Sequence, residues 1–128
     1  MKLLLDTHVF LWFIANNPSL SVSTVAEIRN PNNEVFLSVA AIWEAVVKHG
    51  LGKLPLPHPP ELYLPKQRAN HNIQSLPIEE TALSFLPKLP SLHKDPFDRI
   101  MICQALQYGL TIVTVDTAII AYPVPTMT

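Results

Sequence analysis

A chain of 128 residues with 48 % hydrophobic and 15 % charged side chains can build one core, and it carries too little charge for a disordered segment. Its formal net charge of −1 excludes a nucleic-acid footprint visible in composition alone, so any such contact must come from how charge is distributed. The only cysteine, Cys103, excludes a disulfide framework or a Cys-based metal site. It sits in an apolar, helix-like stretch, where an inert buried thiol fits a reducing cytoplasm. The dense apolar run Val9 to Ala15 is far shorter than the roughly 20 residues of a membrane helix. It also lacks the basic flank and cleavage site of a signal peptide. These features read as one soluble, cytoplasmic domain over residues 1–128.

Lys2-Leu3-Leu4-Leu5 is a short apolar run that ends at Asp6, as a buried parallel strand does. Thr7 to Ala15 follows as an apolar helix stopped by Asn16-Asn17-Pro18. Ser21 or Ser23 caps a second helix that runs to Arg29, and Asn30-Pro31-Asn32-Asn33 is a turn. Val35 to Val39 is a second strand, and Ala40 to His49 a helix stopped at Gly50 or Gly52. Leu54 to Pro60 holds four of the 13 prolines and reads as a rigid extended loop. Glu61 to Asn70 is a helix that Pro65 must start, kink or break. Ile73 to Leu76 is a third strand, and Glu79 to Leu86 another helix. Asp95 to Tyr108 is a long helix closed by Gly109, and Leu110 to Val115 a fourth strand ending at Asp116. The tail from Val124 adds a fifth at an edge, where prolines are tolerated. Strands alternating with helices imply an α/β domain whose mostly parallel sheet is covered on both faces.

The chemistry lies in four acids. Asp6 and Asp116 each follow a strand, and ligands in open α/β sheets bind beyond the carboxyl ends of the strands. Glu44 lies early in the helix after the second strand, and Asp98 in the first turn of the long helix. Each acid also has a plain structural role open to it. Asp6 or Thr7, Asp95, and Asp116 or Thr117 can cap helices. Asp98 favours a helix dipole, and Glu44 stands four residues before Lys48, the spacing of a helix-face ion pair. Gathered in one crevice, the carboxylates repel one another, and a hard divalent cation such as Mg²⁺ or Mn²⁺ relieves that repulsion. Such an ion suits phosphodiester hydrolysis without a nucleophilic side chain. With the four acids set aside, a net −1 leaves +3 on the rest of the molecule.

Leu5-Asp6-Thr7-His8 followed by Leu11-Trp12, Ser38 through Trp43-Glu44, His93-Lys94-Asp95-Pro96-Phe97-Asp98-Arg99 and Val113-Thr114-Val115-Asp116 together resemble the PIN-domain family. The closest likeness is to its VapC-like toxin branch, and it extends to the ending Ala121-Tyr122-Pro123-Val124-Pro125. The Asp-Pro-Phe-Asp-Arg segment, taken with the other three, carries most of the weight. The resemblance implies a three-layer α/β/α sandwich with a central parallel sheet. It also implies a Mg²⁺- or Mn²⁺-dependent endoribonuclease with Asp6, Glu44, Asp98 and Asp116 as catalytic and metal-binding quartet. Implied partners are an RNA substrate, a small cognate antitoxin and a second copy of the chain. Alternatives are a PIN-type nuclease of RNA processing or of single-stranded DNA, and a catalytically weak module that binds RNA or protein.

Around the quartet, the hydroxyls of Thr7, Ser38 and Thr114 can orient an acid or a water, or simply cap and bridge. Asp95 is a natural N-cap, and Arg99 can hold a carboxylate or a phosphate. His8 and His93 adjoin acidic segments, where a phosphate contact and a structural role are both open. Lys48, Lys53, Lys66, Arg68 and Lys94 can follow an RNA backbone or simply face solvent. Phe10, Trp12, Phe13 and Trp43 read as core or dimer interface.

Overall fold

The computed structural model describes residues 1–128. In chain order the elements are β1 (Lys2–Leu5), α1 (Thr7–Ile14), α2 (Val22–Arg29), β2 (Glu34–Ser38), α3 (Val39–Gly50) and α4 (Pro60–Asn70). They continue with β3 (Gln74–Leu76), a 3₁₀ helix (Glu80–Lys88), α5 (Pro96–Tyr108), β4 (Thr111–Val113), α6 (Thr117–Ile120) and β5 (Thr126–Met127). The five strands form one parallel sheet in the order β3-β2-β1-β4-β5. Leu3, Leu4 and Leu5 are each completely buried. Successive strand residues point to opposite faces, so helices must cover both sides of the sheet, as the α/β/α reading requires.

β1 occupies the centre, with Leu4 in register with Phe36 of β2 on one side and Ile112 of β4 on the other. The chain builds outward from β1 to β2 and β3, then crosses back to lay β4 on the opposite flank. Strand order reverses at the β1/β4 boundary, where the outgoing chains diverge and leave a crevice beyond the strand ends. Asp6 leaves β1 at that point, and its backbone N–H donates to the Val113 carbonyl of β4 at 3.0 Å.

Several boundaries depart from the sequence pattern for local reasons. Val39 belongs to α3 because the Ser38 hydroxyl accepts from the Ala40 N–H at 3.0 Å and caps the helix there. β4 is only three residues long, so Thr114 and Val115 separate Asp116 from the strand it was expected to follow directly. Pro60 heads α4 as its first residue, where a missing N–H costs nothing, and Pro65 lies inside the same helix without ending it. The segment read as a helix from Glu79 to Leu86 is a 3₁₀ helix. Pro87 denies it a donor; Ala82 is its one fully buried residue, with Phe85 and Leu86 packed part-buried against the core. Gly109 closes α5 in the left-handed conformation, with φ +67°. Phe10 and Phe13 join the core as read, whereas Trp43 is 54 % exposed and meets Phe97 edge-on, with ring centroids 4.8 Å apart.

No helix is long and apolar enough to cross a membrane.

Candidate active site

Asp6 stands at the N-cap of α1 but makes no capping bond. The Thr114 hydroxyl, 108 residues away in sequence, donates to Asp6 Oδ2 at 2.8 Å, while Oδ1 has no well-aligned donor. Asp6 is only 4 % exposed. That burial raises its pKa, and the Thr114 bond opposes the shift.

Glu44 is buried to a similar degree, on the inner side of α3. Thr7 donates to Oε1 at 2.7 Å, and Lys48, one turn on, pairs with Oε2. Burial pulls the Lys48 pKa down, but its contact with Glu44 outweighs that and leaves the net shift upward. Glu44 therefore has both oxygens engaged within the protein.

Asp95 caps α5 by accepting from the Phe97 N–H at 2.9 Å and, more distantly, the Asp98 N–H. Asp98, in the first turn, is turned inward and 6 % exposed. His93 Nε2 lies 2.7 Å from its Oδ2, and Oδ1 lacks a well-aligned donor. Burial pushes the Asp98 carboxyl up to about 7. The His93 contact opposes this, and the charges of Asp95, Asp6 and Glu44 add to it. Asp116 caps α6 through one oxygen, accepting from the Ala118 N–H at 2.9 Å.

Donor atoms of His93, Asp98 and Asp116 all lie within 4.8 Å of one another. Asp6 and Glu44 fall outside that tight group, yet both are near enough for their charge to reach Asp98. Of the three hydroxyls singled out in the sequence, Thr7 and Thr114 each hold an acid. Ser38 instead donates to Gln104 Oε1. Arg99 meets no carboxylate; its guanidinium donates to the Pro90 carbonyl at 3.1 Å, to the Tyr122 hydroxyl at 3.0 Å and to the Leu86 carbonyl at 3.4 Å.

Sequence reasoning left the role of His93 open and passed over Gln104 and Tyr122. His93 had one usable signal, its place five residues before Asp98 in a single motif. Gln104 had none, because a polar residue within an apolar helix face is visible only by its three-dimensional partners.

The cluster fits a hard divalent cation. Asp6 and Asp98 are both more than nine-tenths buried; Asp98 keeps one oxygen free of side-chain hydrogen bonds, and Asp116 has its second oxygen uncommitted. Lys48 pairs directly with Glu44, and no Lys or Arg side chain forms an ion pair with Asp6, Asp98 or Asp116. Carboxylate oxygens with one imidazole suit Mg²⁺ or Mn²⁺.

An all-parallel sheet with acids gathered at its switch point defines an α/β domain with an acidic, cation-fitting crevice. A profile described as PIN domain matches residues 3–124, and the chain belongs to the PIN domain family, a family of nucleases. No curated protein matches the sequence. Among solved structures, the chain is similar to one in the crystal structure of VapBC2 from Rickettsia felis bound to a DNA fragment from their promoter. The TM-score is 0.75 at 16 % identity, over 99 % of this chain and 98 % of that one. It is similar also to VapBC-1 from nontypeable Haemophilus influenzae, with TM-score 0.67 and 17 % identity over 99 % and 97 % of the two chains. FitAcB from Neisseria gonorrhoeae gives TM-score 0.64 and 20 % identity over 98 % and 96 %. At these identities the likeness is one of fold.

Proposed function

We propose that this chain is a Mg²⁺- or Mn²⁺-dependent endoribonuclease and the toxin of a toxin–antitoxin pair, acting in the cytoplasm as a homodimer. The observation that carries the hydrolytic reading is the pair of buried carboxylates, Asp6 and Asp98, near Asp116 and His93. The toxin reading draws on the fold shared with chains of VapBC and FitAB complexes.

Asp6, Asp98 and Asp116 would hold the cation, and Glu44 would join by releasing Lys48. When bound, the ion supplies charge for the scissile phosphate and lowers the pKa of an attacking water. The protein's own part is positioning. Thr114 and Thr7 fix the rotamers of Asp6 and Glu44, and the Asp95 cap fixes the turn that aims Asp98 inward. Lys48, released from Glu44 or shared with it, stands where it can meet a phosphate oxygen, and Lys53 lines the same small cavity beside Thr7 and Glu44. No nucleophilic side chain is required.

The test is cleavage of total RNA by purified protein, with RNA ends sequenced after induction in cells. Cleavage should vanish with EDTA, return with Mg²⁺ or Mn²⁺, and be absent in Asp6→Asn. Undiminished cleavage in metal-free protein refutes the metal mechanism. Cutting of single-stranded DNA alone, or RNA binding without cutting, replaces the ribonuclease reading with one of its alternatives. Expression that leaves growth unaffected, with no small antitoxin encoded beside the gene, refutes the toxin role.

A further inference from the structure

We propose that His93 supplies a nitrogen ligand to the divalent cation, forming a mixed set with Asp98 and Asp116, and that this makes the site favour Mn²⁺ over Mg²⁺. This deepens the metal-dependent reading above and rests on it.

The geometry brings His93 Nε2 to 2.7 Å from Asp98 Oδ2, and both lie within 4.8 Å of an Asp116 oxygen. Ligand atoms at right angles around an ion with bonds of about 2.1 Å stand roughly 3 Å apart. The His93–Asp98 pair is already near that separation, so the two side chains need only small rotations to share an ion.

The backbone of His93 is held at both of its polar groups. Its N–H donates to the Tyr122 hydroxyl at 2.9 Å, and the same hydroxyl donates to its carbonyl at 3.3 Å. Tyr122 is 3 % exposed, and Arg99 anchors it while also binding the Pro90 and Leu86 carbonyls. The segment before α5 is thus fixed by Tyr122 and Arg99, and the imidazole is left as the part that can adjust. A second observation points to a cation at the same place: Asp98, only 6 % exposed, spends one carboxylate oxygen on His93 and has no side-chain hydrogen bond at the other.

Imidazole nitrogen is a softer donor than carboxylate oxygen. It strengthens binding along the series from Mg²⁺ through Mn²⁺ to later ions, and an all-oxygen site would show that bias more weakly. The four acids alone therefore describe the ligand set incompletely.

Mn²⁺ bound to the metal-free protein, read by pulsed electron paramagnetic resonance, tests this without recourse to activity. Wild type should show ¹⁴N modulation from a directly bound imidazole. His93→Gln should lose it, with Mn²⁺ affinity down by about tenfold or more and Mg²⁺ affinity changed less. His8→Gln is the control, since the His8 ring lies against Trp12 and adjoins Asp6; it should keep the signal. Bound Mn²⁺ in wild type without ¹⁴N modulation overturns the role of His93 and leaves the acidic metal site standing. A signal lost in His8→Gln and kept in His93→Gln overturns it equally. No Mn²⁺ binding by wild type overturns both this inference and the metal-dependent reading.

Discussion

For Asp98, one substitution separates the raised pKa that burial imposes from the place at the cation proposed for it. Its pKa of about 7 in the folded chain, against an ordinary 3.8, means that between these values the folded state binds a proton the unfolded state has lost. The associated stability is fully present below about pH 4 and is lost as pH rises through 7. Asn resembles the protonated acid and has no charge to bury. In EDTA, Asp98→Asn should therefore melt above wild type at about pH 8, with the gap closing toward pH 4. Identical melting of the two proteins across that range would sink the argument. In Mg²⁺ the same variant should lose roughly 100-fold or more in cleavage, while Asp95→Asn keeps most of its activity because Asn caps a helix about as well as Asp. Thr114→Val is the companion case. It removes the one hydroxyl donor to buried Asp6 and should cost about 1–3 kcal/mol in urea unfolding near neutral pH. A loss below about 0.5 kcal/mol would show that the bond is dispensable.

Between elements, Gln104 is the main polar tie. It is fully buried on α5, accepts from the Ser38 hydroxyl at the start of α3, and donates to the Pro77 carbonyl at 3.1 Å. It thereby fixes the helix that carries Asp98 against the helix that carries Glu44. Gln104→Leu should unfold about 1–3 kcal/mol more easily, since both partners are left without it. Denaturant melts matching wild type would contradict this role. The elements themselves were legible to unequal degrees. Apolar runs such as Leu3-Leu4-Leu5 announce buried strands, and Asp95-Pro96 announces a helix start. The 3₁₀ segment was not readable as such, because Thr81 to Leu86 has an ordinary helical composition and only Pro87 speaks against an α-helix. At the site, motif positions pointed to Asp6, Glu44, Asp98 and Asp116. The pairing of Glu44 with Lys48 was also legible, as an i, i+4 spacing. What Arg99 and Ser38 bind was not, because their partners come from Leu86, Pro90, Tyr122 and Gln104, which no local pattern connects to them.

At the scale of the molecule, α3 and the residue that caps its end display Val39, Trp43, Val47 and Leu51 at four-residue intervals, all exposed, with Trp43 at 54 %. An apolar row of this kind supports the proposed homodimer. Light scattering should give twice the chain mass, and Trp43→Glu should shift the population toward monomer by placing a charge in the row. A monomeric wild type at high concentration counts decisively against the dimer.

The hydrogen bond from Thr114 to Asp6 also has a meaning in time. Asp6 leaves the ribosome well before its orienting partner, which follows 108 residues later. Until β4 has emerged and paired with β1, the crevice has only one wall, and neither Thr114 nor Asp116 is there to complete it. On the proposed function, a nascent chain would gain its complete acidic crevice only once β4 has paired with β1.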